Sequence, residues 1–393
     1  VKKTPWSDVP HLIAGLAVFC SLTACSQTTD WKALESDLQQ MMTGLAVENI
    51  FPGATLAVVL PDGDILHLAA GTADLETGAA MPDDARMFSG SIGKTFVAAV
   101  ALELVAEGKL ALDAPLASYL GEAPWFTRLP NHGEITIRMI LNHTGGLPRY
   151  VLEESFWNEL NADPDRVWKP EELIAIVLDA PALHPPGEGW GYSDTDYILL
   201  GMVIEKLCGR TYYEELTERV LHPLRLSDTT PSVSRIIPRL VPGYTGGERA
   251  PFFLPERVLV DGRYVLNPQF EWTGGGLVTS SRDLAVFAKE LFEGRVLSSE
   301  MTAMMIAGAP VNIPESDWIE YGLGVQIWTS PFGTIYGHGG IFPGYQSQME
   351  FLPALKCSMA LQANADATGA RLKRPLHSIA SDVWQILHDH LQE

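Results

Sequence analysis

The sequence is short of positive charge. It carries 27 Lys and Arg against 48 Asp and Glu, a formal net charge of −21 over 393 residues. Phosphate backbones need clustered cations, so this balance argues against a nucleic-acid partner, and an anionic membrane surface would repel the chain. Cysteine is scarce, with 4 residues and no Cys-x-x-Cys pair, which leaves zinc or redox roles for the thiols without support. No His-Glu-x-x-His and no Gly-x-Ser-x-Gly occur. Neither a zinc-protease helix nor a nucleophile-elbow turn is therefore encoded. No metal or cofactor is expected. The apolar run from His11 to Cys20 is too short to span a bilayer.

What is there begins with an address. Lys2 and Lys3 precede that apolar run, and Leu22-Thr23-Ala24-Cys25 follows it. This order resembles a bacterial lipoprotein signal. The resemblance implies a signal peptide over residues 1–24, lipid on Cys25, and a lipid-anchored, extracytoplasmic position in the cell envelope, on the periplasmic side. The lipid would be the only membrane contact. Cys208 and Cys357 then remain in the mature body. They are expected unpaired, with Cys208-Gly209 reading as a helix end.

Residues 25–45 are expected to be a tether and a first helix beginning at Trp31. Residues 53–60 and 65–71 read as strands joined through Pro61-Asp62-Gly63-Asp64, a hairpin. From about 91 to 230 the pattern is mostly helical and residues 235–272 are loop-rich, together giving a helical subdomain expected over about 91–270. Asp194 to Leu207 carries helix-start chemistry followed by apolar periodicity, and Ser280-Ser281-Arg282-Asp283 opens another amphipathic helix through Leu291. Tyr321 to Trp328, Thr334 to Gly337, Gln346 to Leu352 and Cys357 to Ala363 read as strands, and Leu372 to Leu391 as a closing helix. Strands at both ends with helices between them predict one sheet built from both termini, carrying a helical insertion.

Ser91-Ile92-Gly93-Lys94 is the most informative stretch. If Ser91 opens the helix that follows, its hydroxyl and the Lys94 amine lie one turn apart on one face. An alcohol needs such a neighbouring base to become a nucleophile at neutral pH. Burial and the positive end of the helix are expected to lower the Lys94 pKa toward that task. The spacing alone is a weak signal.

Further segments add to it. They are Leu141-Asn142-His143-Thr144-Gly145-Gly146-Leu147-Pro148, Tyr192-Ser193-Asp194, His222-Pro223-Leu224, Gly274-Gly275-Gly276 and His338-Gly339-Gly340. In this order they resemble the class C β-lactamase and D,D-peptidase family of serine hydrolases, from about Leu45 to Ala365. The resemblance implies an α/β (α+β) fold of the serine β-lactamase type. An antiparallel sheet is flanked by helices and joined by an all-helical subdomain. The catalytic domain would run over 46–365, with 366–393 as its C-terminal helix. It also implies Ser91 as nucleophile, Lys94 as its base partner, Tyr192 as proton shuttle and His338 as a catalytic residue on an edge strand. The oxyanion hole would be the backbone N–H groups of Ser91 and Ile341, and Asp194, Gly339 and Gly340 would contact substrate. Trp190, Phe342 and Tyr345 are candidates for the cleft wall, and His143 for ordering the turn at Gly145-Gly146.

The family often has Asn where Asp194 stands and a hydroxyl residue where Gly339 stands. An ionised Asp cannot donate to a substrate carbonyl, and beside Lys94 it would keep the amine charged. Asp194 is therefore expected to turn away, to cap the following helix, or to shift base work onto Tyr192. The expected substrate is a small-molecule or peptide ester or amide. A D-alanyl-D-alanine carboxypeptidase-like activity leads, with a carboxylesterase, a weak β-lactamase or a non-turnover penicillin-binding sensor as alternatives.

Overall fold

The computed structural model describes residues 31–247, 253–311 and 318–392. The signal and Cys25 lie outside the described residues. Nine strands form one sheet, and every neighbouring pair is antiparallel. In chain order they are β1 (Gly53–Val59), β2 (Ile65–Asp74), β3 (Ala79–Ala80), β4 (Ala309–Pro310), β5 (Trp318–Tyr321), β6 (Gln326–Ser330), β7 (Gly333–Phe342), β8 (Tyr345–Leu352) and β9 (Cys357–Ala363). Their spatial order is β3-β2-β1-β9-β8-β7-β6-β5-β4. The N-terminal hairpin thus joins the C-terminal strands through β1 and β9, in register from Ala54 opposite Ala363 to Val59 opposite Ser358.

Alternation along β1 sorts the two faces of the sheet. Leu56 and Val58 point into a core shared with α1 (Trp31–Val47) and the last helix, whereas Ala57 and Val59 point into the larger core on the other side. Between Ser89 and Thr229 the chain makes no strand. This stretch holds α2 (Gly93–Ala106) and α3 (Asp194–Cys208), and α4 (Ser281–Phe292) follows before the chain returns to the sheet. Helix α2 is buried nearly all round, so it is the axis of the helical layer rather than a surface helix. Helix α3 ends as its sequence suggests, with Gly209 in the left-handed conformation at φ 65°. Cys208 and Cys357 are free.

Three expected boundaries move. The run Tyr321 to Trp328 is not one strand: the Gly322 N–H donates to the Val325 carbonyl, Gly324 takes φ 74°, and β6 starts at Gln326. Strand β7 does not stop at Gly337 but runs on through His338 to Phe342. The last helix, α5 (Leu376–Gln392), starts later than Leu372. Pro375 precedes it, and the residue before a proline is biased away from helical angles.

Candidate active site

Ser91 does not open α2 itself. It sits in a tighter turn, Gly90–Ile92, that runs directly into α2 at Gly93. The one-turn spacing survives, and Lys94 Nζ lies 3.2 Å from Ser91 Oγ. Two close approaches hold this turn. A Cβ on Gly93 would drive into the Gly275 carbonyl, and one on Gly340 into the Ser89 carbonyl. The same Cβ on Gly340 would stand only 3.2 Å from the Ser91 backbone nitrogen. The serine turn therefore rests directly on β7.

Strand β7 is interior to the sheet, not an edge strand as expected. Its pairing with β6 ends at Gly337, however, so residues 338–342 pair with β8 alone and form a local free edge. Phe342 and Tyr345 close a two-residue hairpin. Alternation of the antiparallel ladder then turns the N–H groups of Ile341 and Gly339 away from β8. The Gly339 N–H duly donates to Gln326 Oε1 at 2.7 Å, on the open side.

Lys94 is fully buried. Its ammonium has three acceptors: Ser91 Oγ, Asp194 Oδ1 at 2.7 Å and the Gly274 carbonyl at 2.5 Å. Three N–H donors on a charged amine match three acceptors. Burial pulls the Lys94 pKa down, but Asp194 and then Tyr192 outweigh burial and hold it above the ordinary value. The lowered pKa expected from burial is therefore corrected: the carboxylate decides. Asp194 neither turns away nor caps α3, whose first residue it is. Its other oxygen, Oδ2, accepts from Arg149 Nε at 2.9 Å and Nη2 at 2.8 Å. Burial would raise the Asp194 carboxyl, yet the two cations hold it well below the usual range.

Tyr192 stands across from this pair, with Lys94 Nζ 4.9 Å and the Arg149 guanidinium 5.0 Å from its ring centre. Its buried hydroxyl meets Ser91 and Lys94 only loosely, without a well-formed hydrogen bond. Burial pushes the phenol pKa up, and Lys94 pulls against that. The His143 ring packs 4.3 Å from the Tyr192 ring, centre to centre. His143 Nδ1 lies 2.8 Å from Asp196 Oδ2 and accepts from the Ser193 N–H at 3.3 Å. His143 thus orders the Tyr192 segment. The Gly145 end of the turn is tied instead by Asn131 Nδ2, which donates to the Gly145 carbonyl at 3.0 Å.

His338 lines the cleft, but both ring nitrogens are engaged. Nδ1 lies 2.6 Å from the Gly339 carbonyl and so carries the proton, and Nε2 lies 2.8 Å from the Tyr321 hydroxyl and accepts it. Burial lowers its pKa to about 3. The neutral ring has no nitrogen left to exchange a proton with Ser91, so the geometry makes this expected catalytic residue a fixed wall of the cleft.

Ser91, Tyr192, Asp194, His338, Gly339, Gly340 and Ile341 all line one cleft of about 650 Å³. Trp190 and Phe342 wall it as expected, whereas Tyr345 packs in the core with its hydroxyl donating to the Val241 carbonyl at 2.7 Å. Three contributors were not singled out from sequence. Arg149 is one, and Tyr321, which anchors His338, is another. The third is Glu271, whose Oε2 accepts from the Gly276 N–H at 3.0 Å and whose carboxyl burial raises to about 8. Among the described residues, no group of three or more His, Cys, Asp or Glu is placed to hold a metal ion.

Comparison with known proteins covers nearly the whole described chain. A family profile described as Beta-lactamase matches residues 34–381. Penicillin-binding protein 4* of Bacillus subtilis (strain 168) is 27% identical over 321 residues, covering 79% of this chain and 68% of that one. Esterase EstB of Burkholderia gladioli is 33% identical over 216 residues, but this covers only 53% of this chain and 54% of the esterase. Among solved structures, a D-stereospecific amidohydrolase from Streptomyces sp. superimposes with a TM-score of 0.72 at 30% identity, covering 84% of this chain and 94% of that one.

Proposed function

The chain belongs to the beta-lactamase family, and on that premise we propose that it hydrolyses an ester or amide through an acyl-Ser91 intermediate. The observation that carries this reading is the Lys94 ammonium 3.2 Å from Ser91 Oγ in a cleft of about 650 Å³. Ser91 Oγ attacks the substrate carbonyl carbon, and the charge that develops on oxygen is met by the N–H groups of Ser91 and Ile341. Lys94 is already protonated in this arrangement, so the serine proton passes to the minor phenolate form of Tyr192, whose resting phenol burial keeps protonated, and from there to the leaving group. Lys94 favours that phenolate, and Asp194 keeps Lys94 charged. Water then cleaves the acyl-enzyme by the reverse sequence of proton transfers. His338 and Tyr321 position the free edge of β7.

Within this reaction, D-alanyl-D-alanine carboxypeptidase-like cleavage in the cell envelope is the finer reading. It is supported by the lipoprotein-like start and by the likeness to a penicillin-binding protein. Carboxylester hydrolysis is the second reading, favoured by the apolar wall of Val151, Leu152, Trp157 and Phe270.

Intact-mass labelling tests the proposal. A fluorophosphonate should add one equivalent to the wild type and none to Ser91→Ala. Labelling or hydrolysis that survives Ser91→Ala rejects the acyl-serine reading. Turnover of a D-Ala-D-Ala peptide, a p-nitrophenyl ester and a chromogenic cephalosporin then ranks the activities, and stoichiometric penicillin acylation without turnover would show a sensor. The same spectra of membrane-extracted protein should show lipid on Cys25, and an unmodified mature N-terminus would refute the anchor.

A further inference from the structure

The described cleft contains a guanidinium that the chemistry of Ser91 does not consume. Arg149 spends Nε and one N–H of Nη2 on Asp194 Oδ2. Its side chain is still 31% exposed, and it lines the same cleft as Ser91. A guanidinium has five N–H donors in one plane, so three remain, those of Nη1 and the second of Nη2. They cannot relax into other arrangements, because the bidentate contact to Asp194 fixes the plane and the Tyr192 ring backs it. Ser91, Lys94, Asp194 and Arg149 form one continuous chain of contacts, so the free guanidinium edge stands at a fixed offset from the reacting oxygen.

The local charge points the same way. Lys94 and Arg149 carry two positive charges against the single one on Asp194. Glu271 adds none at neutral pH, because burial keeps it in the acid form, and His338 is neutral. A cleft with net positive charge is set in a chain of net charge −21. Such a cleft favours an electron-rich group on the substrate.

We propose that Arg149 is a specificity residue whose free guanidinium edge binds an oxygen acceptor, a carboxylate or an amide carbonyl, on the acyl side of the substrate. This rests on the acyl-Ser91 reading. It makes Asp194 a bridge that holds the lysine with one oxygen and aims the arginine with the other. Esters or amides whose acyl group lacks an acceptor leave the guanidinium edge without a partner in the closed complex, which costs selectivity.

Three p-nitrophenyl esters of similar length test it: hexanoate without an acceptor, 4-acetamidobutyrate with a carbonyl, and hydrogen adipate with a carboxylate. The wild type should prefer at least one acceptor-bearing ester over hexanoate by about 10- to 100-fold in kcat/KM. Preference for the adipate assigns a carboxylate, and preference for the acetamide a carbonyl. Arg149→Met should bring that ratio to near 1, and Arg149→Lys should retain part of it. Equal ratios in wild type and Arg149→Met overturn the proposal. If Arg149→Met does not fold, product inhibition of the wild type decides: adipate and 4-acetamidobutyrate both inhibiting no better than hexanoate overturns it. Fluorophosphonate labelling of the same wild-type preparation separates the two readings. Absence of label at Ser91 removes both, whereas labelled Ser91 with unchanged ratios removes the Arg149 proposal alone.

Discussion

At the scale of the residue, the site is governed by one carboxylate. Asp194 is depressed, so its contribution to stability is present above the ordinary carboxylate pKa and lost as pH falls through its folded value. Lys94 is raised, so its contribution is present below the ordinary lysine pKa and lost as pH rises through its folded value. The network is therefore intact across the neutral range. Asp194→Asn should leave two cations facing each other in a buried site, a loss of about 3–5 kcal/mol measurable by denaturant unfolding. Asp194 also raises the Tyr192 phenol, so with Lys94 still charged its removal should move the acid limb of the kcat/KM profile to lower pH. A limb that stays in place would show that Tyr192 is not the base that titrates. Ser91, Lys94 and Tyr192 were legible in sequence because motif order identifies them. Arg149 and Glu271 were not. An ion pair between positions 149 and 194 leaves no local pattern, and nothing in the loop-rich stretch around Glu271 announces that its carboxyl is buried.

At the scale of the element, glycine decides where the serine turn can rest. Gly93 begins α2 with its Cα against the Gly275 backbone, whereas Gly44 on α1 faces open space. Gly93→Ala should cost about 1–3 kcal/mol through overpacking, and should lower kcat/KM by displacing Ser91. Gly44→Ala should stabilise by roughly 0.5–1 kcal/mol and leave activity alone, as glycine inside a helix is unfavourable. Differential unfolding and ester hydrolysis on the same two variants check both, and equal effects would show that the close approach carries no strain. The helices from Trp31, Asp194 and Ser281 and the strands from Gly53, Ile65 and Cys357 were legible because their periodicity is strong. The hairpin at Gly322 to Val325 was hidden because its apolar residues continue the pattern of the strands around it. The length of β7 was hidden from the residue pattern because Gly337, Gly339 and Gly340 weaken the strand signal, and only the resemblance put His338 on a strand.

At the scale of the whole molecule, two buried carboxyls set how stability follows pH. Burial raises Glu271 to about 8 and Glu350 to about 7. Each keeps a proton in the folded state that the unfolded chain has lost, so the favourable contribution is largest below about pH 4.5 and disappears as pH rises toward the folded value. Stability should fall between pH 5 and 7 by up to about 1.4 kcal/mol per pH unit for each group. Glu271→Gln and Glu350→Gln should each flatten that slope when unfolding is followed against pH, and an unchanged slope in both would show that neither carboxyl holds its proton. Topology has a consequence in time. Strand β1 waits for β9, and the turn that carries Ser91 waits for β7. At ordinary synthesis rates the interval between Lys94 and Phe342 leaving the ribosome is roughly 10–50 s. Throughout that interval the nascent chain carries its reactive serine without the strand that completes its surroundings. Hydrolysis begins only when β7 has arrived, so a product terminated before it is silent rather than partly active.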